Sequence, residues 1–197
     1  MTRSRLPKLS EAFLALIAVA AVSMCAGVSQ SAASTATLAT HSHAAAARDI
    51  PDNQVFLTFR DTAAGYSISF PEGWLQQGAG PNVTFHDKDN RLHVVISKGA
   101  TFTAASVKAD VASLKSVTPS FRATPATTLS LPSGASFKVS YSTVSAPNPV
   151  TGKRVSLVVD RYYLSKAGKR AIVDLGSPKG ADNVDAYRLI IKSFRWR

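Results

Sequence analysis

The sequence predicts an α+β domain, an antiparallel sheet with helices packed on it. Three observations carry this. Period-two apolar patterns recur from residue 55 to residue 175, broken by turn-forming clusters that join neighbouring runs as hairpins. Two segments, 103–115 and 182–194, switch to helical spacing. No internal repeat divides the chain, and hairpin-linked strands interrupted by only two helices give an antiparallel rather than an alternating βαβ pattern.

The elements follow in order. Arg3, Arg5 and Lys8 precede an apolar run over residues 12–27, and small residues follow it. That is the three-part layout of a secretory signal, and the run falls short of the roughly 18 apolar residues of a spanning helix. Arg3 and Arg5 are not adjacent, which argues against a twin-arginine route. Cys25 closes the apolar run and is the single cysteine. Val22 and Ser23 before it suit a bacterial lipoprotein signal with Cys25 as lipidation site, whereas Met24 suits it poorly. Ordinary cleavage after Ala33 or Ala36 is the alternative. The expected division is a signal at 1–33, a tether at 34–53 and a domain at 54–197. The tether is rich in Ala, Ser and Thr and lacks aromatics, so it cannot bury enough apolar area to offset its ordering entropy. His41 and His43 fall inside it without further ligands nearby.

Order is expected from Gln54. Residues 55–59 read as a strand, and Tyr66-Ser67-Ile68-Ser69-Phe70 alternates as a half-buried one. Pro71-Glu72-Gly73 breaks it, and Trp74 opens a short segment ended by Gly78-Ala79-Gly80. Residues 83–86 and 91–96 flank the turn cluster Asp87-Lys88-Asp89-Asn90 as a hairpin. In the first helix Val107, Val111 and Leu114 form the apolar face, with Lys108, Asp110 and Lys115 facing water. Pro119 closes it. Strands follow at 121–131, 135–144, 155–164 and 170–175, and Asp182 caps a terminal helix. Its wide apolar face takes Val184, Tyr187, Leu189, Ile190, Ile191 and Phe194.

The chain carries a formal charge of +11, and +9 remains once the signal is set aside. For an exported domain this favours anionic partners: lipid headgroups, wall polymers or an acidic protein. Nucleic acid is excluded by compartment. The basic residues are scattered along the sequence, with a modest cluster at Lys166, Lys169 and Arg170, a pattern for which solubility alone is the simpler expectation. No disulfide is available to the domain, although its compartment permits one, so its stability rests on a packed core.

One hairpin draws attention for chemistry. With Lys88-Asp89 as a two-residue loop, His86 faces Arg91 and His93 faces Thr84, placing both imidazoles on one sheet face. A third ligand, Asp87, Asp89 or one from elsewhere, would have to complete a metal site. A solvated outer face and ordinary turn chemistry explain the same residues, and no metal or other cofactor is expected. Glu72 is the only glutamate beyond the signal, no Gly-x-Ser-x-Gly elbow occurs, and no Gly-rich loop joins a strand to a helix. Catalysis is therefore not expected. At the C-terminus Arg195, Trp196 and Arg197 are candidates for contact with a membrane interface or a partner. A terminal aromatic folded back on the sheet is the simpler expectation.

The strand and turn Asp-Thr-Ala-Ala-Gly-Tyr-Ser-Ile-Ser-Phe-Pro-Glu-Gly-Trp over 61–74, and the helix closing in Ser193-Phe194, resemble the PsbP-like superfamily. Its members show an aromatic-rich strand ending in Pro-x-Gly-Trp near the domain start and a terminal helix closing in a Ser-Phe pair. The resemblance spans 55–197. It implies an α/β/α sandwich around an antiparallel sheet, and a non-enzymatic role in binding and assembly. Members include the extrinsic photosystem II subunit and exported bacterial proteins. The photosystem role does not carry over, since no binding residues match. Within the motif Pro71 sets the chain direction, Gly73 permits a tight turn and Trp74 covers the sheet edge or core. Together these observations imply an exported, non-catalytic binding or assembly protein that contacts an envelope protein. A small-ligand or metal-binding module is the alternative, with an uncharacterised hydrolase behind it.

Overall fold

A computed structural model describes residues 49–197. The signal, its cleavage positions, Cys25, His41 and His43 lie outside the described residues. Strands β1 (Phe56–Asp61), β2 (Tyr66–Pro71) and β11 (Arg195–Trp196) form a small sheet in the order β1-β2-β11. The large sheet runs β3 (Leu75–Ala79), β4 (Asn82–Asp87), β5 (Asn90–Lys98), β10 (Lys169–Pro178), β9 (Ser156–Lys166), β8 (Gly134–Val144), β6 (Arg122–Ala123). Strand β7 (Thr127–Leu131) also pairs with β8. Every pairing is antiparallel. Helix α1 (Ala104–Val117) follows β5, and helix α2 (Val184–Ser193) precedes β11.

Local chemistry explains most boundaries. Ala167 and Gly168 both take positive φ, 48° and 75°, between Lys166 and Lys169, the conformation a two-residue hairpin loop favours because its twist matches the strands. Thr103 caps α1 reciprocally with Ser106, satisfying donors that a helix start leaves unpaired. The run expected over 121–131 splits in two at Pro125, which has no N–H to give to the ladder. Both pieces still pair with β8. The segment after Trp74 is a full strand, although all five residues are exposed; backbone pairing with β4 holds it.

Neighbouring residues on a strand enter different cores, as pleating requires. Tyr162, Leu164, Ala171, Val173 and Leu175 join Ile68, Leu92, Tyr187 and Ile190. Tyr163 and Val139 join Phe102 and Val107 of the α1 region, with Ile172 beside them. Aromatic rings knit the small sheet to the large one. Phe70 stacks on Phe85 at 4.1 Å, Phe59 meets Phe85 edge-on at 5.3 Å, and Tyr66 stacks on Phe194 at 5.8 Å. Trp74 is half-buried against this core.

Four expectations need correction. The apolar face of α2 is narrower than its sequence implies, with Val184 and Leu189 62% and 59% exposed. Asn183, not Asp182, is its N-cap, and its side chain serves the tertiary structure instead of the helix: Oδ1 accepts from Ile50 N at 2.7 Å and Nδ2 donates to Asn90 Oδ1 at 3.0 Å. Asp110 does not face water but is half-buried in an ion pair. Ile50, within the span expected to be tether, is buried in the main core, so folded contacts begin before residue 54.

The α2 register is directly testable. Ile190→Ala should cost about 2–5 kcal/mol, a buried aliphatic truncation. Leu189→Ala should stay within about 0.5 kcal/mol. Denaturant unfolding of both variants measures the contrast, and equal losses would contradict the register.

Candidate functional site

Directly paired residues project from the same face of a sheet, so the register assembles the site. On the face that carries α1, Thr84 pairs with His93, His93 with Asp174, and Asp174 with Arg161. One row away, His86 pairs with Arg91, Arg91 with Gly176, Gly176 with Val159, and Val159 with Tyr141. Gly176 contributes no side chain, and a Cβ there would meet Val159 Cγ2 at 3.3 Å. Val159 thus leans into the space a side chain would take, and both residues line a half-open hollow of about 540 Å3 together with Thr84, His86, Arg91, Tyr141, Leu157 and Asp174.

Beside this hollow lies a chain of ion pairs. Arg161 donates through Nε to Asp174 Oδ1 at 2.7 Å and through Nη2 to Asp174 Oδ2 at 2.8 Å. Its Nη1 reaches Asp110 Oδ2 of α1 at 2.9 Å, and the Tyr163 hydroxyl donates to the same oxygen at 2.8 Å. His93 Nδ1 stands 3.8 Å from Asp174 Oδ2, an ion-pair separation rather than a hydrogen bond, while its Nε2 is 2.9 Å from Asn82 Oδ1. Burial pushes the Asp174 carboxyl up, but His93 and Arg161 outweigh it and hold the group below the usual carboxylate range. Burial likewise opposes the charge on Arg161, and Asp174 outweighs it, raising that guanidinium further. Burial, with Asp174 adding to it, pushes the Tyr141 phenol up to about 12.

A second hollow of about 610 Å3 adjoins the first, the two sharing Asp89. Lys153, Arg154 and Lys179 line it. On the other face of the sheet, a cleft of about 520 Å3 lies between α2 and the strands, lined by Leu129, Leu131, Tyr162, Tyr187, Lys138 and Asp160. There Lys138 Nζ pairs with Asp160 Oδ2 at 2.8 Å, and the Ser140 hydroxyl donates to Asp160 Oδ1.

The residues singled out from sequence are placed as follows. His86 and His93 share a face, with His86 opposite Arg91 and His93 opposite Thr84. Asp87 is exposed at the end of β4 and Asp89 is half-buried in the loop. Among the described residues no three His, Cys, Asp or Glu side chains are grouped to hold a metal ion. Arg195 Nη1 donates to the carbonyls of Lys192 and Phe194 at 2.6 and 2.8 Å. Trp196 is half-buried, pairs with Tyr66 in β11 and meets Phe194 edge-on at 5.0 Å. Arg197 ties its N–H to Gly65 O at 2.8 Å and its Nε to Ser67 Oγ at 3.2 Å. Sequence reasoning passed over Arg161, Asp174 and Tyr141. The available signal was a charge at the middle of two strongly apolar strands, which is costly unless paired.

Removing one member of the buried pair should therefore be worse than removing both. Arg161→Met should cost about 3–5 kcal/mol, and adding Asp174→Leu should recover much of it. The pH dependence has a definite sign. Because the Asp174 pKa is depressed in the folded state, its contribution is fully present above the unfolded value of about 3.9 and is lost as pH falls through the folded one. Acid unfolding monitored by circular dichroism should show a shallower stability loss below about pH 4 in Asp174→Asn than in the wild type.

No family model and no curated sequence matches the chain. Solved structures do. The cyanobacterial PsbP protein CyanoP from Synechocystis sp. PCC 6803 is 19% identical with a TM-score of 0.52, over 76% of this chain and 98% of its own. The Ran-binding protein Mog1p of Saccharomyces cerevisiae is 9% identical with a TM-score of 0.50, over 72% of this chain and 95% of its own. LpqN, involved in cell envelope biogenesis of Mycobacterium tuberculosis, is 13% identical over 73% of this chain and 91% of its own, and its TM-score of 0.42 is too low to bear on the fold. At such identities the likeness is one of architecture, and it agrees with the entry motif at 61–74 and the closing Ser193-Phe194: this chain has the PsbP-like fold.

Proposed function

We propose that this chain is an exported, non-catalytic binding or assembly protein that contacts a partner protein on the outer side of the cytoplasmic membrane. The observation that carries this is the saturation of three carboxylates in and beside the clefts by neighbouring side chains. Asp174 is occupied by Arg161, Asp110 by Arg161 and Tyr163, and Asp160 by Lys138 and Ser140. Each displaced titrating group moves away from neutrality: Asp174 down, and Lys138, Arg161 and the tyrosines 66, 141, 162, 163 and 187 up. General acid–base catalysis needs the opposite, a group poised near the working pH. Such a site is built to present a fixed surface.

The two separate cores on opposite sides of the large sheet support an α/β/α layering, with α1 on one face and α2 on the other. The same scaffold serves a protein-binding role in Mog1p, a Ran-binding protein. Export rests on the positive and apolar segments before residue 28, followed either by lipidation at Cys25 or by cleavage after Ala33 or Ala36. The second reading, a small-ligand module, draws on the cleft beneath α2, whose Leu129, Leu131 and Tyr162 wall carries the Lys138–Asp160 pair.

In-cell cross-linking of the tagged full-length protein should capture one recurrent envelope protein. Repeated empty captures with several cross-linkers would overturn the partner reading. A thermal-shift panel of small ligands and metals discriminates the alternative, because binding to the folded state alone must raise the melting temperature.

A further inference from the structure

The scattered cations of the sequence become a surface only in the fold. Arg91 comes from β5, Lys153 and Arg154 from the segment between β8 and β9, and Lys179 from just after β10, yet all four line two adjoining hollows, the first of them on the α1 face. All four are exposed. The backbone beneath them is fixed. Asn148 Oδ1 accepts from Val150 N and Thr151 N at 3.0 and 2.9 Å, Asn148 N donates to Lys153 O at 2.8 Å, and Lys179 N donates to Ser156 O at 2.8 Å. Arg154 Nη1 donates to Ser145 O at 2.9 Å, which orients its guanidinium. Two carboxylates line the same hollows. Asp174 is buried against Arg161, which leaves Asp89 as the one at the junction.

We propose that these hollows form one groove that receives an acidic peptide segment of the partner protein, its carboxylates over Arg91, Lys153, Arg154 and Lys179 and an apolar side chain against Tyr141, Leu157 and Val159. This rests on the partner-binding role above and specifies its contact. Charge complementarity selects the sign of the occupant. The apolar end, walled by Tyr141, Leu157 and Val159, selects its class. A simple polyanion has no use for that end, and a lipid surface is too flat for a concave groove. A peptide carries both carboxylates and an apolar anchor, which is the anatomy of a binding hot spot inside a polar rim. Because the cations stand on an ordered backbone, less conformational freedom is lost on binding.

The test uses the full-length chain and a fluorescein-labelled dodecapeptide of alternating Asp and Glu with one central Leu, read by anisotropy. The charge reversals Arg91→Glu, Lys153→Glu and Lys179→Glu together should weaken binding by about tenfold or more. The matched set Lys98→Glu, Lys108→Glu and Lys115→Glu, which alters net charge equally elsewhere, should change it by less than about twofold. Replacing the peptide's Leu by Gly should weaken binding several-fold. Thermal unfolding of both triple variants establishes that each is folded. Equal losses in the two sets would overturn the inference, as would a Leu-independent affinity matched by dextran sulfate or by anionic vesicles. A recurrent cross-linked partner unaffected by the groove triple would sink the groove while leaving the partner role intact. Peptide binding without any cross-linked partner would sink the partner role.

Discussion

The Arg161–Asp174 pair sits on adjacent strands near the middle of the large sheet, and much of the α1 face is arranged around it. A carboxylate as buried as Asp174, 7% exposed, is tolerated only with a fully engaged partner. Arg161 meets that demand with a bidentate geometry that a lysine could not reproduce. Its remaining nitrogen fixes Asp110, and through Asp110 the position of α1 over β9. Registers on both sides of β10 are thereby constrained, because a slip of one residue would send one charge into the opposite, apolar core. Such a pair adds little net stability against a hydrophobic replacement. Its physical effect is to penalise alternative registers.

The opposite core depends on a different device. Phe59, Tyr66, Phe70, Phe85, Phe194 and Trp196 interlock through ring contacts that draw the first and last strands of the domain together. Strand β2 sits between β1 and β11, so chain entry and chain exit close the same small sheet. Asn183 and Ile50 complete the closure, one side chain holding the start of α2, the incoming backbone and the β5 turn at once. The Pro-x-Gly-Trp motif is thus mainly architectural. Its Trp74, and Phe70 just before the motif, pack against this core.

Beside these two cores lie two adjoining hollows that share Asp89. On the α1 side Gly176 lets Val159 pack closely, since a Cβ there would come within 3.3 Å of Val159 Cγ2. The rim of the hollows receives cations from three segments distant in sequence.

How much of this was legible beforehand follows from the range of the forces involved. Period-two patterning, Pro and Gly punctuation and the Thr103 start are local, so the hairpins at 87–90 and 166–169, the order of strands and helices and the antiparallel class could be read from the chain. The Asp61 to Trp74 motif added the PsbP-like architecture. Strand β3, with all five residues exposed and only Gln76 and Gln77 polar, left no periodic trace because only its backbone is used. The α2 face was drawn too wide because Leu189 and Val184 obey helical spacing while nothing covers them. The Asp110–Arg161–Asp174 chain and the cationic groove join residues 51 positions apart or more in some links, and no local pattern encodes such a meeting. The sequence by itself determined the elements, their order and the sign of the surface charge, since these depend on neighbours along the chain. Only the tertiary structure decided which charges are neutralised and which are gathered at the surface, since that depends on neighbours in space.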